Sequence, residues 1–139
     1  MCDSPHVTVT ALSEQPLDRA LLELDGATLT IEDALDVARR RRTVRLAEHA
    51  AEAVTASREL KQSLIAQEIP IYGVTTGLGD SAHRQVAAVK AAKLQQNLLR
   101  FLGCGTGPTT PREVVRVAML LRANCLAKGN SGVRVEVIH

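Results

Sequence analysis

Tyr72 is the side chain in this sequence whose surroundings best suit proton-transfer chemistry. It lies between Ile71 and Gly73 in residues 70–80, PIYGVTTGLGD, where three glycines and two threonines favour turns over regular structure. A phenol held on such a loop can serve as a general acid or base. Phenols ordinarily ionise near ~10, so that role requires positive charge or hydrogen bonds that favour the phenolate. The same tyrosine could instead be a half-buried anchor whose hydroxyl finds a partner, and spacing alone does not choose between the two.

Other candidate constellations have simpler readings. His6, His49, His83 and His139 never recur at the i, i+4 spacing of a metal-binding helix, and no Cys/His cluster accompanies them, so no metal site is expected. Cys2, Cys104 and Cys125 are odd in number and show no Cys-x-x-Cys spacing, which argues against a disulfide framework. Gly103, Gly105 and Gly107 superficially resemble a nucleotide-binding glycine loop. A helical pattern precedes them and Pro108 comes after, so a helix-terminating turn is the better explanation. There is no Gly-x-Ser-x-Gly elbow. Arg39, Arg40, Arg41, Arg42 and Arg45 form a basic cluster that could meet phosphates. Asp33, Asp36 and Glu48 lie within helical reach and no aromatic residue is interleaved, so a solvated helix end or a subunit contact is expected rather than nucleic acid.

The elements that must position Tyr72 can be read from composition and periodicity. A chain of 139 residues with 45% hydrophobic and 23% charged residues fits one globular domain. Its net charge of +2 argues neither for nor against nucleic acid. Tyr72 and Phe101 are its only aromatic residues, so the core must be aliphatic and alanine-rich, which suits close-packed helices. No apolar run approaches the ~20 residues of a membrane span, and the start lacks a signal peptide's pattern. A soluble, cytoplasmic protein is the expectation.

Residues 7–11 and 21–31 are rich in β-branched side chains, and Asp25-Gly26 between two apolar runs is a hairpin-turn signal, so a small β element is expected there. Thr30 and Asp33 resemble a capping box opening a helix that ends near Arg40. Val44, Ala47, Ala50, Ala51, Val54, Leu60 and Leu64 predict a helix over residues 43–67, stopped by Ile69-Pro70. Val86, Val89, Leu94, Leu98, Phe101 and Leu102 predict the next, ended by the breaker at 103–108. Thr110 as N-cap, Pro111 at N1 and Glu113 at N3 open another, with an apolar stripe through Val114, Val117, Ala118, Leu121 and Cys125. Lys128 and Gly129 end it. Ser131 then caps a further helix of which only residues 132–139 remain. That abrupt stop predicts that residues 1–139 are part of a longer domain.

Three segments taken together carry a resemblance: Ile71-Tyr72-Gly73-Val74-Thr75-Thr76-Gly77-Leu78-Gly79, then Leu94-Gln95-Gln96-Asn97-Leu98-Leu99-Arg100-Phe101-Leu102, then residues 122–134, RANCLAKGNSGVR. In that order and at those separations they resemble the amino-terminal motifs of the histidine, phenylalanine and tyrosine ammonia-lyases and their aminomutase relatives. The resemblance implies a mainly α fold, the amino-terminal helical domain of the fumarase/aspartase-like architecture, within a homotetramer several hundred residues long per subunit. It implies a methylidene-imidazolone electrophile, formed from an internal Ala-Ser-Gly triad, that captures the substrate's amine, while a loop tyrosine takes a β-proton and ammonia leaves. The residue matching that tyrosine is Tyr72. Gly79 matches a glycine on the substrate carboxylate side, and Phe101 and Leu102 match the pair that selects the substrate ring.

Phe-Leu is the phenylalanine-type pairing. Histidine-specific members resemble Ser-His there, and tyrosine-specific ones His-Leu. A hydrocarbon wall leaves a phenol or imidazole unpaired at a cost of ~1–3 kcal/mol, so L-phenylalanine is the expected substrate. Two departures from the family pattern stand out. Leu78 replaces a more usual aromatic residue, and no Ala-Ser-Gly occurs in the 139 residues. The resemblance puts that triad shortly downstream, so this chain alone should be catalytically silent. The rivals are a phenylalanine aminomutase, a histidine or tyrosine ammonia-lyase, and a non-enzymatic helical module or half of a split enzyme.

Overall fold

The computed structural model describes residues 21–138, so the strand expected at 7–11 lies outside the described residues. Strand β1 (Leu22–Leu24) alternates buried, exposed, buried, as a strand with one face on a core must. It pairs in parallel with β2 (Val44–Leu46), Leu22 opposite Val44 and Leu24 opposite Leu46. A parallel pair needs a crossover, and helix α1 (Ile31–Arg40) supplies it.

Asp25-Gly26 therefore does not turn a hairpin, contrary to the pattern in the sequence. The Asp25 carboxylate accepts hydrogen bonds from the Ala27 and Thr28 amides at 2.8 and 2.9 Å and from the Thr28 hydroxyl at 2.8 Å, so those amides are lost to any ladder. Gly26 takes φ +84° and donates its N–H to Asn124 Oδ1 at 3.1 Å. A Cβ there would lie 2.9 Å from the Lys128 backbone nitrogen, so glycine lets the turn lie against the distant helix end.

The expected capping box is present: Asp33 N–H donates to Thr30 Oγ1 (3.1 Å) and Thr30 N–H to Asp33 Oδ2 (3.2 Å). The Thr30 hydroxyl, more than Arg42, holds the Asp33 carboxyl below its usual range. Arg41 ends α1 in the left-handed region. Its neighbours do not form a free basic patch. Arg39 meets Glu113, Arg40 meets Asp36, Arg42 meets Asp33, and Arg45 meets its cross-strand partner Glu23.

Helix α2 spans Glu48–Ala66, shorter at its start than the periodicity predicts. Residues 44–46 join the sheet instead, because Leu22 N–H finds the Thr43 carbonyl at 3.0 Å and Ala47 N–H the Leu24 carbonyl at 2.9 Å. Helix α3 covers Ala88–Leu102 and α4 Arg112–Ala127. The start of α4 falls one residue later than expected. Pro111 is the N-cap residue, its carbonyl taking the Val115 amide at 3.2 Å, and no side chain caps it, which leaves Thr110 one place too early to do so.

The apolar stripe read on α4 is largely exposed, with Val114 at 55% and Leu121 at 49%. The buried face lies across the helix, on Leu120 and Ala127 with Ala123 beside them. Those residues close a core with Leu22, Leu24, Ala34, Val37, Leu46, Ala47 and Ala50, and α1 packs chiefly on α4. Ser131 caps no helix, and the chain enters a 3-10 turn at Val135–Val137 instead. The intervening segment docks on α2, where Gly132 N–H donates to Ser57 Oγ at 3.0 Å and Gly129, at φ +72°, lies against Ala53.

Two measurements check this arrangement. A Cβ at Gly129 would stand 2.8 Å from the Ala53 carbonyl carbon in a left-handed backbone, so Gly129→Ala should destabilise the chain by about 2–4 kcal/mol in urea denaturation. Gly105→Ala, with nothing within 4 Å, should change stability by no more than ~0.5 kcal/mol. The Thr28 and then the Ala27 amide hold Asp25 at about 2, down from 3.8. A depressed carboxylate stabilises the fold above its unfolded value and loses that effect as pH falls through the folded one. The stability gap between the wild type and Asp25→Ala should therefore narrow as pH drops from 3.8 towards 2.

Candidate active site

Between α2 and α3 the chain forms a closed loop whose shape is set by two threonines. Val74 N–H and Thr75 N–H both donate to the Ile71 carbonyl at 3.0 Å, making a turn over residues 71–74 with Tyr72 second and Gly73 third. Gly73 has φ +70°, the pattern of a type II turn, in which the third place favours glycine. Thr75 and Thr76 are buried and brace the turn from beneath. Thr75 Oγ1 accepts from Ile71 N–H at 2.9 Å and donates to the Ile69 carbonyl at 3.4 Å, while Thr76 Oγ1 accepts from Gly73 N–H at 3.2 Å.

The returning limb is pinned as firmly. Thr76 and Gln85 form an antiparallel bridge, Gly77 N–H donates to the Arg84 carbonyl at 3.1 Å, and Val86 N–H donates to the Thr75 carbonyl at 2.7 Å. Gly77 is required where it stands, since a Cβ would fall 2.5 Å from the Ser81 carbonyl oxygen. A 3-10 turn, Gly79–Ser81, comes next.

Tyr72 is 65% exposed in this chain, more open than a half-buried anchor. Its hydroxyl oxygen accepts a hydrogen bond from Gly79 N–H at 3.3 Å. Tyr72 and Gly79, seven residues apart, thus meet at the loop's open face. Gly79 has φ +56° and nothing within 4 Å of where a Cβ would sit, leaving space beside the phenol oxygen.

Phe101 and Leu102 lie at the carboxyl end of α3, 75% and 64% exposed. Their link to Tyr72 runs through the helix that carries them. Gln95 Nε2, on α3, donates to the Gly73 carbonyl at 2.7 Å. Phe101 is six residues further on, roughly 9 Å along the helix axis. Gln95, Thr75 and Thr76 fall within the sequence motifs, yet the sequence assigns them no task, because their significance lies in hydrogen bonds that spacing does not reveal.

A groove of about 1000 Å³ lies elsewhere, between β2 and α4, lined by residues such as Leu24, Leu46, Val115, Met119 and Ile138. None of the four expected site residues lines it. Its lining is mainly aliphatic, which suits packing rather than chemistry. Among the described residues no helix is long and apolar enough to cross a membrane.

What these elements define is a mainly helical scaffold with a two-stranded parallel sheet, carrying a tyrosine on a glycine-rich turn outside its core. The family model for aromatic amino acid lyases matches residues 29–139. Histidine ammonia-lyase of Streptococcus pyogenes is 39% identical over 118 residues, which are 85% of this chain and 23% of that protein. Histidine ammonia-lyase of Caldanaerobacter subterraneus is 44% identical over 115 residues, 83% of this chain and 23% of the relative. Among solved structures, tyrosine aminomutase from Streptomyces globisporus superposes with a TM-score of 0.81 at 39% identity, covering 86% of this chain and 23% of that one. Phenylalanine aminomutase of Pantoea agglomerans gives a TM-score of 0.76 at 30% identity, covering 85% and 24%.

This chain belongs to the aromatic amino acid lyase family. It spans about a quarter of the length of the relatives it matches. The fold is the mainly helical, fumarase/aspartase-like one expected from the sequence.

The threonine brace yields a test of the loop itself. Thr75→Val keeps the shape but removes the acceptor for Ile71 N–H and the donor to Ile69, so it should cost about 1–3 kcal/mol. Faster amide exchange at Ile71, with the exchange of α1 unchanged, is the expected signature.

Proposed function

We propose that this chain supplies the base loop and one wall of the substrate pocket of an aromatic amino acid ammonia-lyase that converts L-phenylalanine to trans-cinnamate. One observation carries the reading. The phenol of Tyr72 is open to solvent, its oxygen is fixed by the Gly79 amide, and its loop is tied to the helix that ends in Phe101 and Leu102.

Tyr72 is the residue we assign to remove the β-proton. The Gly79 amide fixes the phenol oxygen and gives negative charge on it a hydrogen-bond partner. With no side chain, Gly79 leaves room for the substrate's carboxylate. Phe101 and Leu102 offer an apolar wall that a phenyl ring can cover without leaving a polar group unpaired, which supports phenylalanine over tyrosine or histidine.

The family's methylidene-imidazolone, when present, supplies an electrophile for the substrate's amine and so makes that amine a better leaving group. These 139 residues contain no Ala-Ser-Gly from which to form it, so on this reading they face the group and do not make it. We assign activity to a polypeptide that includes that triad, in a homotetramer, and propose that residues 1–139 alone are silent. The tyrosine and phenylalanine aminomutases among the similar structures favour a second reading, in which ammonia returns to the β-carbon; β-phenylalanine among the products would identify it.

The test is an ultraviolet assay for cinnamate. The isolated chain should give none, and robust turnover by it would overturn the proposal. Co-expression with a polypeptide bearing Ala-Ser-Gly and the rest of the pocket should restore turnover. In that assembly Tyr72→Phe should lower kcat by about 10²–10⁴-fold. Phe101→His should shift preference towards tyrosine by roughly 5- to 100-fold, read as the ratio of kcat/KM values.

A further inference from the structure

We infer that Gln95 is the positioning residue that sets where Tyr72 stands relative to the ring-facing end of α3. The inference rests on the base assignment proposed above and adds to it the group that holds the base in register.

Of the backbone polar groups of Ile71 and Gly73, which flank Tyr72, three are held within the loop. Ile71 N–H goes to Thr75, Gly73 N–H to Thr76, and the Ile71 carbonyl to Val74 and Thr75. These bonds fix the shape of the turn but not its place on the protein. The fourth group, the Gly73 carbonyl, takes the Gln95 amide at 2.7 Å, at the short end of the range for an N–H···O bond.

The tie also matters to α3. No residue of α3 is buried, and α3 is not among the closely packed pairs, which join the strands, α1, α2, α4 and the 135–137 turn. Among the described residues, the bond from Gln95 is the long-range hydrogen bond that α3 makes. The same helix carries Phe101 and Leu102. The start of α3 is held to the loop through Val86 N–H on the Thr75 carbonyl, and the Gln95 bond adds a second tie roughly one and a half turns before Phe101, so the two together set the distance from phenol to ring wall. A misplacement of ~1 Å between reacting groups can cost ~10²-fold in rate, so such a tie acts on catalysis without touching substrate.

The glutamine amide suits the task chemically. Its N–H is a directional donor without charge, so it fixes the carbonyl without adding a charge close to the phenol. Gly73 makes the carbonyl available: at φ +70° a residue with a Cβ would be strained, and that Cβ would come within 2.9 Å of Leu78 Cδ2.

Tyr72 is the only tyrosine and the chain has no tryptophan, so tyrosine fluorescence of the 139-residue chain reports on this residue alone. Gln95→Met removes the donor at nearly constant length, and Gln95→Lys restores one at similar reach. Gln95→Met should lower the fluorescence anisotropy of Tyr72 and speed amide exchange at Val74 and Thr75 by about 2- to 10-fold, with helix content unchanged. Gln95→Lys should return both readings towards wild type. Gln96→Met, on the exposed neighbour, should leave them unaltered.

Wild-type anisotropy and exchange in Gln95→Met would overturn the inference. So would equal changes in Gln96→Met, or no recovery in Gln95→Lys. None of these readings measures turnover. Failure of the base assignment would appear separately, as an active Tyr72→Phe enzyme in the completed assembly.

Discussion

Two parallel strands of three residues cannot hold themselves together, and the rest of this molecule depends on how that pairing is closed. Parallel ladders need a crossover, and α1 provides it; α1 then needs a surface for Ala34 and Val37, and α4 provides that. The closure is reinforced at its turn, where Gly26 donates to Asn124 and lies against the backbone at Lys128. A segment near residue 25 is thereby locked to one near residue 125. Helix α2 leaves directly from β2, so its direction is set by the same closure.

The stabilising part of the chain and the part with chemical potential are consequently distinct. Core residues come from the sheet, α1, α2 and α4. The 70–86 loop and α3 stand outside that core and are shaped by hydrogen bonds, with Thr75 and Thr76 as the buried residues. A loop built this way needs little apolar burial to keep one shape. It leaves a phenol, a glycine and an aromatic-aliphatic pair uncovered.

The elements legible in the sequence were those with local causes. The box of Thr30 and Asp33, the stop at Ile69-Pro70 and the left-handed Gly129 each depend on residues within a few places, and each was found where expected. The readings that failed had distant causes. Asp25-Gly26 carries a hairpin signal, yet the pairing partner of each β1 residue lies twenty-two residues on. Residues 43–46 fit a helical period until Leu22 and Leu24 claim their backbone groups. On α4 two apolar faces compete, and periodicity cannot say which one α1 will cover. For the site, glycines and threonines announced the loop, and the motif resemblance singled out Tyr72 and Gly79, which do meet. The support beneath them was invisible, since a glutamine reaching back twenty-two residues leaves no spacing signature.

That contrast bears on what kind of bond can organise such a site. Apolar packing between α3 and the loop would have fixed them too, but it would have consumed the apolar surface that Phe101 and Leu102 leave open. A directional hydrogen bond to a glycine carbonyl, added to the tie at Val86, helps fix position while covering almost nothing. It is also easily lost, because a net contribution of ~0.5–1.5 kcal/mol is comparable to thermal fluctuation over a few contacts. The exposed apolar faces of α3 and α4 matter for the same reason: weak polar ties set the geometry, and further surface laid on those faces would make it rigid.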